Sequence, residues 1–231
     1  MVILSDLSEL FVTGILMMHV RVSLVYGRCG EEWFVRRKER MNPVFLDLMR
    51  GSMKLSEFWE DFCDDYKKPP SITPEGLNEL FLQEIQGKIN GTLEVFEGII
   101  AYPNSFRHCD RKIIEWCPAI IMVSDHIREC VDVLHRAHPE VFDLFSNEVW
   151  SFDRGEIKSD PGFFDHLLRD LGLRARDTLF VDDLLVNCES AAQSHIKAIR
   201  FTSVPDLIRS LENNRFVIDP RVKAKYLSRE S

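Results

Sequence analysis

The chain has 231 residues, 45% of them hydrophobic and 29% charged, which is the composition of a soluble globular protein with a sizeable core. Its net charge of -8 disfavours the nucleic-acid backbone as a partner, so an anionic substrate would need a local positive site. The six cysteines form no CxxC pair, which favours a reducing, cytoplasmic compartment over a disulfide framework.

Four nearly continuous apolar runs predict the strands of a parallel sheet that is covered on both faces. In chain order they are VILSD (2–6), AIIMVSD (119–125), TLFVDD (178–183) and KAIRF (197–201). Helices are predicted between the later runs: Asp160 and Pro161 precede one that ends near Gly172, and Ser203 and Pro205 begin another. This alternation predicts an α/β protein with a doubly wound, Rossmann-like parallel sheet.

The long region after the first strand has a different pattern. Its helical stretches are NPVFLDLMRG, KLSEFWEDFCDDY and TPEGLNELFLQEIQG, separated by turn residues at Gly51, 69–71 and Gly91. We therefore expect a mainly helical accessory domain at 15–96, inserted into an α/β core formed by 1–14 and 97–231.

Other classes of protein are not supported by the motifs. The apolar run at 10–18 stops at His19 and Arg21, well short of the ~20 residues of a membrane helix, so we expect no membrane association. No GxGxxG or GxxxxGK[ST] loop occurs, which removes the usual dinucleotide and P-loop interpretations. The histidines and cysteines between 108 and 138 lack the spacing of a compact zinc site.

Polar side chains follow three of the predicted strands where each strand ends. They are Asp6, Ser124 and the pair Asp182 and Asp183. Ligands of open parallel sheets bind beyond the carboxyl ends of the strands, so these groups should converge on one cleft. Three carboxylates in one cleft repel one another, and a divalent cation and a basic side chain, for which Lys158 is the candidate, would offset that repulsion.

Each of these residues taken singly has an ordinary structural interpretation. A strand-end Asp or Ser is often a cap or turn residue, and a single Lys is usually solvated surface. Their order and strand contexts together favour a shared site.

The segments that carry these residues resemble motifs of the haloacid dehalogenase (HAD) superfamily, in its phosphatase-like branch with a helical cap inserted after the first motif. The matching segments, in chain order, are VILSD, IIMVSD, GEIKSDPGFFDHLL and LFVDDLLVNCESAA. The third and fourth are the most specific, because one leads directly into the other. The resemblance extends from residue 2 to about residue 211 and implies the α/β core and inserted cap described above.

The resemblance also implies roles for individual positions. Asp6 would be the nucleophile that attacks phosphorus to form an aspartyl-phosphate. Mg²⁺ would be held by the Asp6 carboxylate, the Ser8 backbone carbonyl and Asp182, with Asp183 supporting the ligand shell. The phosphate of a small phosphorylated metabolite would be bound by Ser124, Asp125 and Lys158.

The first motif departs from the pattern of the family. Phosphatases of this family have Asp-x-Asp-Gly followed by Thr or Val, and the second Asp acts as the general acid; here that position is Ser8. A serine hydroxyl cannot replace it, which removes a rate contribution on the order of 10² to 10⁴. Glu9 is the alternative acid in the sequence, but in an extended segment its side chain would point to the opposite side from Ser8. The sequence therefore leaves open a slow phosphatase and a catalytically impaired binding or regulatory protein, with magnesium-independent hydrolysis at carbon as a third reading.

Overall fold

The computed structural model describes residues 1–8, 10–12, 43–58, 60, 79, 91–101 and 118–228. Its centre is a five-stranded parallel sheet with the strand order β4-β3-β1-β5-β6. The strands are β1 (Val2–Ser5), β3 (Ala119–Ser124), β4 (Asn147–Trp150), β5 (Thr178–Asp182) and β6 (Lys197–Arg200). The four strands predicted from the sequence are thus confirmed. A separate antiparallel pair consists of β2 (Ile99–Ala101) and β7 (Val217–Ile218).

Helices flank the sheet. In the described segments they are α1 (Pro43–Met49), α2 (Thr92–Glu97), α3 (Val131–Ala137), α4 (Pro139–Phe142), α5 (Ser151–Arg154), α6 (Phe163–Asp170), α7 (Leu185–Gln193), α8 (Val204–Asn213) and α9 (Pro220–Leu227). Among the described residues, no helix combines the length and apolarity that crossing a membrane requires.

Alternating strand residues pack into two separate hydrophobic clusters, one on each face of the sheet. Ile3 belongs to the cluster that includes side chains of α2, α3 and α8, whereas Leu4 belongs to the cluster that includes α6 and α7. Successive side chains of a strand point to opposite faces, so a nearly continuous apolar strand must be covered on both sides. The predicted doubly wound α/β architecture is confirmed.

The described part of the predicted insertion packs into the first of these clusters. Phe45, Leu48 and Met49 of α1 are buried there together with Ile3. The domain boundaries proposed at 14, 15, 96 and 97 remain a prediction.

Some local features differ from the sequence-based expectation. Strand β4 and the β2–β7 pair were not predicted, and α6 begins at Phe163, with Gly162 at a φ of 82° as its N-cap, rather than beside Asp160. Elsewhere the capping prediction is confirmed: the Ser203 hydroxyl accepts the Asp206 backbone N–H at 3.2 Å at the start of α8.

Candidate active site

Parallel pairing brings the predicted strand-end residues to one edge of the sheet. Strand β1 lies between β3 and β5, with Ser5 opposite Met122 on one side and opposite Val181 on the other. Asp6 extends this register, because its backbone N–H donates to the Val181 carbonyl at 2.9 Å. Asp182 is the last residue of β5. The carboxylates of Asp6 and Asp182 therefore lie side by side at the carboxyl ends of β1 and β5.

The Lys158 ammonium group lies between these two carboxylates. Its Nζ is 2.8 Å from Asp6 Oδ1 and 2.6 Å from Asp182 Oδ2. All three side chains are buried, with exposed fractions of 1% for Lys158, 6% for Asp6 and 0% for Asp182. Buried charges need partners of this kind to offset the loss of hydration. The sequence-based expectation that Lys158 meets the strand-end aspartates matches this geometry.

Burial and the neighbouring charges both shift the pKa values of the groups at this edge. Burial lowers the pKa of Lys158, but the carboxylates of Asp182, Asp6 and Asp125 outweigh that effect and raise it. Burial raises the pKa of Asp6 well above its ordinary 3.8; Lys158 opposes the shift, and the charges of Asp182 and Asp183 add to it. One lysine therefore does not fully balance the neighbouring carboxylates.

Asp6, Asp182 and Asp183 form a cluster that fits a divalent cation. Each offers a carboxylate oxygen, and the three oxygen atoms lie within 4.8 Å of one another. Carboxylate oxygens are ligands that Mg²⁺ prefers, and a cation there would offset the charges of Asp182 and Asp183, which add to the effect of burial in raising the pKa of Asp6. Ser8 lies two residues beyond Asp6, and its buried Oγ has no hydrogen-bond partner among the described residues. The donor set is thus compatible with the predicted magnesium ligands.

The two residues predicted to bind phosphate at the end of β3 have different surroundings. Ser124 is 1% exposed, and its Oγ has no hydrogen-bond partner in the described parts of the chain, so that hydroxyl is available to a ligand. The Asp125 carboxylate instead accepts the Lys158 backbone N–H, at 3.0 Å to Oδ1 and 3.3 Å to Oδ2. Burial raises the pKa of Asp125 to about 6, and the Lys158 charge opposes that shift. Phosphate binding at residue 125 remains a prediction, with the backbone N–H as the suitable group.

Asn187 is a residue of the site that the sequence reasoning did not single out. Its Nδ2 lies 3.1 Å from both carboxylate oxygens of Asp182, whose Oδ1 also accepts the Leu184 backbone N–H at 2.8 Å. These donors hold the Asp182 carboxylate in one orientation. The signal was present as the asparagine five residues after Asp182 in LFVDDLLVN, on the first turn of α7.

Glu9, which the sequence analysis considered as a substitute acid, lies outside the described residues. So do most residues of the predicted cap.

Solved structures resemble the chain over most of its length. A Porphyromonas gingivalis protein described as a predicted HAD-like family hydrolase shares 18% identity, covers 92% of this chain and 96% of its own, and has a TM-score of 0.66. The magnesium complex of the HAD family enzyme BT-2542 from Bacteroides thetaiotaomicron gives 17% identity, 87% and 93% coverage, and a TM-score of 0.65. L-2-haloacid dehalogenase from Xanthobacter autotrophicus, with chloropropionic acid covalently bound, shares 13% identity, covers 98% of this chain and 88% of its own, and has a TM-score of 0.58.

Neither the protein-family models nor the curated protein sequences match this chain. Because these structures share little sequence identity with the chain, their similarity establishes the fold alone. The protein has the fold of the haloacid dehalogenase superfamily, as its sequence motifs predicted.

Proposed function

We propose that the protein is a magnesium-dependent hydrolase that cleaves a small phosphoric monoester through an aspartyl-phosphate on Asp6. The observation that carries this proposal is the position of the Lys158 ammonium, 2.8 Å from Asp6 Oδ1 and 2.6 Å from Asp182 Oδ2, at a rim that also holds Asp183. A nucleophilic carboxylate beside fixed positive charge is what attack on an anionic phosphorus centre requires.

The contacts of Asp6 indicate which oxygen attacks. Oδ1 accepts hydrogen bonds from Lys158 Nζ and from the Leu7 backbone N–H at 2.8 Å; Oδ2 has no such donor among the described residues and is the oxygen left for the substrate. Attack by Oδ2 forms the Asp6–phosphorus bond and breaks the bond between phosphorus and the alcohol oxygen, which leaves as an anion and takes its proton from solvent water. Water then cleaves the aspartyl-phosphate, returning the carboxylate and releasing inorganic phosphate.

The remaining site residues have matching roles. The Ser124 hydroxyl would donate to a phosphoryl oxygen, and Lys158 would offset charge on both the nucleophile and the phosphate. Asp6, Asp182, Asp183 and the Ser8 backbone carbonyl would hold Mg²⁺, which supplies charge neutralisation and orientation of the phosphoryl group.

The names of structural neighbours support this choice. BT-2542 of B. thetaiotaomicron has a structure in complex with magnesium and inorganic phosphate, at 14% identity and a TM-score of 0.59. The covalent chloropropionic acid complex of L-2-haloacid dehalogenase favours a different reaction, at carbon. For the present chain, the clustered carboxylates of Asp182 and Asp183 favour the reaction that uses a cation.

Ser8 makes the proposed turnover slow. It stands where phosphatases of the superfamily carry the acid that protonates the leaving group, and its hydroxyl does not release a proton near neutral pH. The same observation favours the second candidate, a protein that binds magnesium and phosphate without turnover and acts as a binding or regulatory module.

Hydrolysis of an aryl phosphate, with and without Mg²⁺, tests the proposal on the wild type and three variants. We expect slow, magnesium-dependent hydrolysis by the wild type, none by Asp6→Asn, and a gain on the order of 10² in Ser8→Asp. Ser8→Asn is the matched control, because Asn has nearly the size of Asp but cannot donate the proton.

Activity of Asp6→Asn equal to the wild type would refute the proposed nucleophile. Binding of Mg²⁺ without hydrolysis by any variant would favour the binding module, and hydrolysis of a 2-haloacid without metal would favour reaction at carbon.

A further inference from the structure

Two consecutive backbone N–H groups of the loop that carries Lys158 donate to carboxylates, which hold the loop in place. The Ile157 N–H donates to Asp160 Oδ2 at 3.0 Å, and the Lys158 N–H donates to Asp125 at 3.0 and 3.3 Å. The Asp160 N–H also donates to the Ile157 carbonyl at 2.9 Å, which closes a tight turn. The backbone position from which the Lys158 side chain extends is thus fixed from two sides.

Asp160 is in turn bound by a residue from the distant segment that follows α1. Arg50 Nε donates to Asp160 Oδ2 at 3.0 Å and Nη2 donates to Oδ1 at 2.6 Å, in a two-point ion pair between residues 110 positions apart. The side chains are 27% and 24% exposed, so solvent screens the pair only in part. Burial raises the pKa of Asp160, but the hydrogen bonds from Arg50 and from the Ile157 N–H outweigh burial and lower it. Paired guanidinium and carboxylate groups also fix direction, which a single contact does not.

The segment around Arg50 is itself anchored to the α/β core. The Ser151 hydroxyl donates to the Met49 carbonyl at 2.7 Å. Gly51 has a φ of 72°, and a Cβ at that position would lie 2.7 Å from the Phe152 carbonyl oxygen. Backbone contact this close leaves the segment little room to move relative to α5. The Arg50 side chain therefore extends from a fixed backbone position.

We propose that Arg50 is a positioning residue for Lys158: through Asp160 and the Ile157 N–H it sets the loop that places the Lys158 ammonium between Asp6 and Asp182. This inference rests on the proposed role of Lys158 in phosphate hydrolysis. The physical reason is that a lysine side chain has many rotamers, and holding its tip between two carboxylates requires a fixed backbone origin. Arg50 lies within the predicted cap insertion, so a contact from the inserted region supports a group of the core site.

Amide hydrogen exchange tests the positioning step without any need for turnover. We expect exchange at the Ile157 and Lys158 amides to speed up at least tenfold in Arg50→Ala, and to recover in part in Arg50→Lys, which keeps the charge but not the two-point geometry. Arg128→Ala is the matched control: Arg128 pairs with Asp153 of α5 at 2.8 Å and donates to the Phe152 carbonyl, but its recorded contacts do not include the described loop residues Ile157 and Lys158. Unchanged exchange at both amides in a folded Arg50→Ala protein would overturn the proposal.

Coupling to Lys158 distinguishes a positioning role from a general contribution to stability. The measurement is the affinity for inorganic phosphate in the presence of Mg²⁺, together with kcat and KM for the aryl phosphate. We expect Arg50→Ala to weaken phosphate binding and lower kcat about tenfold in the wild type, but to have no further effect in a Lys158→Met background. Equal losses in both backgrounds would overturn the proposal.

The two proposals fail in different ways. Loss of exchange protection in Arg50→Ala without measurable hydrolysis by the wild type would support the positioning role of Arg50 and count against the proposed catalysis. Normal exchange protection in Arg50→Ala, together with magnesium-dependent hydrolysis by the wild type, would support the proposed catalysis and count against the positioning role of Arg50.

Discussion

The buried Lys158 ammonium provides the sharpest test of the electrostatics of the site, because replacing it with Met keeps the length and removes the charge. Lys158→Met leaves the carboxylates of Asp6 and Asp182 buried without their shared cation. Two unit charges no more than 4.8 Å apart repel by at least about 3.5 kcal/mol at an effective dielectric constant of 20. Removing one partner of a buried ion pair costs about 3–5 kcal/mol in other proteins. We expect the free energy of unfolding at pH 7 to fall by about 3–5 kcal/mol.

The loss should depend on pH. The pKa of Asp6 is already raised in the folded protein by burial, and losing the opposing Lys158 charge raises it further. A carboxyl group whose pKa is higher in the folded state favours folding at low pH, and that contribution is lost as the pH rises through the folded pKa. The deficit of Lys158→Met relative to the wild type should therefore be smaller below the folded pKa of Asp6 than above it.

Urea unfolding followed over a range of pH values measures this deficit. Lys225→Met is the control, since Lys225 pairs with Glu94 at a site where both side chains are nearly half exposed; its loss should be far smaller than that of Lys158→Met. A deficit under about 1 kcal/mol for Lys158→Met, or one that does not change with pH, would refute the assignment of Lys158 as the charge that holds the two aspartates together.

Two further substitutions test neighbouring groups. Burial raises the pKa of Asp125 to about 6, so its ionisation destabilises the fold as the pH rises from about 4 to 6. Asp125→Asn keeps an acceptor for the Lys158 N–H and should flatten that part of the stability profile by about 3 kcal/mol. A profile that keeps the wild-type slope would contradict this. Asn187→Ala removes both hydrogen bonds to the Asp182 carboxylate and should cost about 2 kcal/mol in urea unfolding, against less than about 1.5 kcal/mol for Asn214→Ala, whose amide donates to a neutral carbonyl. Equal losses of unfolding free energy in the two variants would show that the hydrogen bonds to the charged Asp182 carboxylate stabilise no more than one to a neutral carbonyl.

The sheet could be predicted because its central strands carry an unambiguous physical signal. Strands β1, β3 and β5 are buried on both faces, so their sequences are continuous apolar runs. Strand β4 lies at the edge of the sheet, and its sequence NEVW begins with two polar residues that are exposed or half-buried. Pairing with β3 rather than an apolar pattern makes it a strand, and pairing cannot be read from a four-residue segment.

The convergence of the aspartates was predictable for a related reason. Parallel strands end at the same edge, so the positions of Asp6 and Asp182 relative to each other follow from the topology alone. The placement of Lys158 was also expected, because a site crowded with carboxylates requires a cation. Its distances of 2.8 and 2.6 Å agree with that reasoning.

The contacts that hold the site in place were not predictable from local sequence. Asp160 stands before Pro161 and resembles a helix cap, but its carboxylate binds Arg50 and the Ile157 N–H instead, and α6 begins at Phe163. The ion pair with Arg50 joins residues 110 positions apart, so it exists only once the chain has folded. The Asp125 carboxylate likewise accepts the N–H of Lys158, 33 positions away, a contact that no local pattern indicates; phosphate binding at residue 125 remains a prediction.

The central claim is that aspartates from two separate strands create one cation site, and calorimetric titration of Mg²⁺ tests it most directly. We expect the wild type to bind one ion per chain, Asp183→Asn to bind it at least tenfold more weakly, and Asp143→Asn, which changes an exposed aspartate after α4, to bind it normally. Absence of Mg²⁺ binding by the wild type, or equal affinities of the wild type and Asp183→Asn, would contradict the claim.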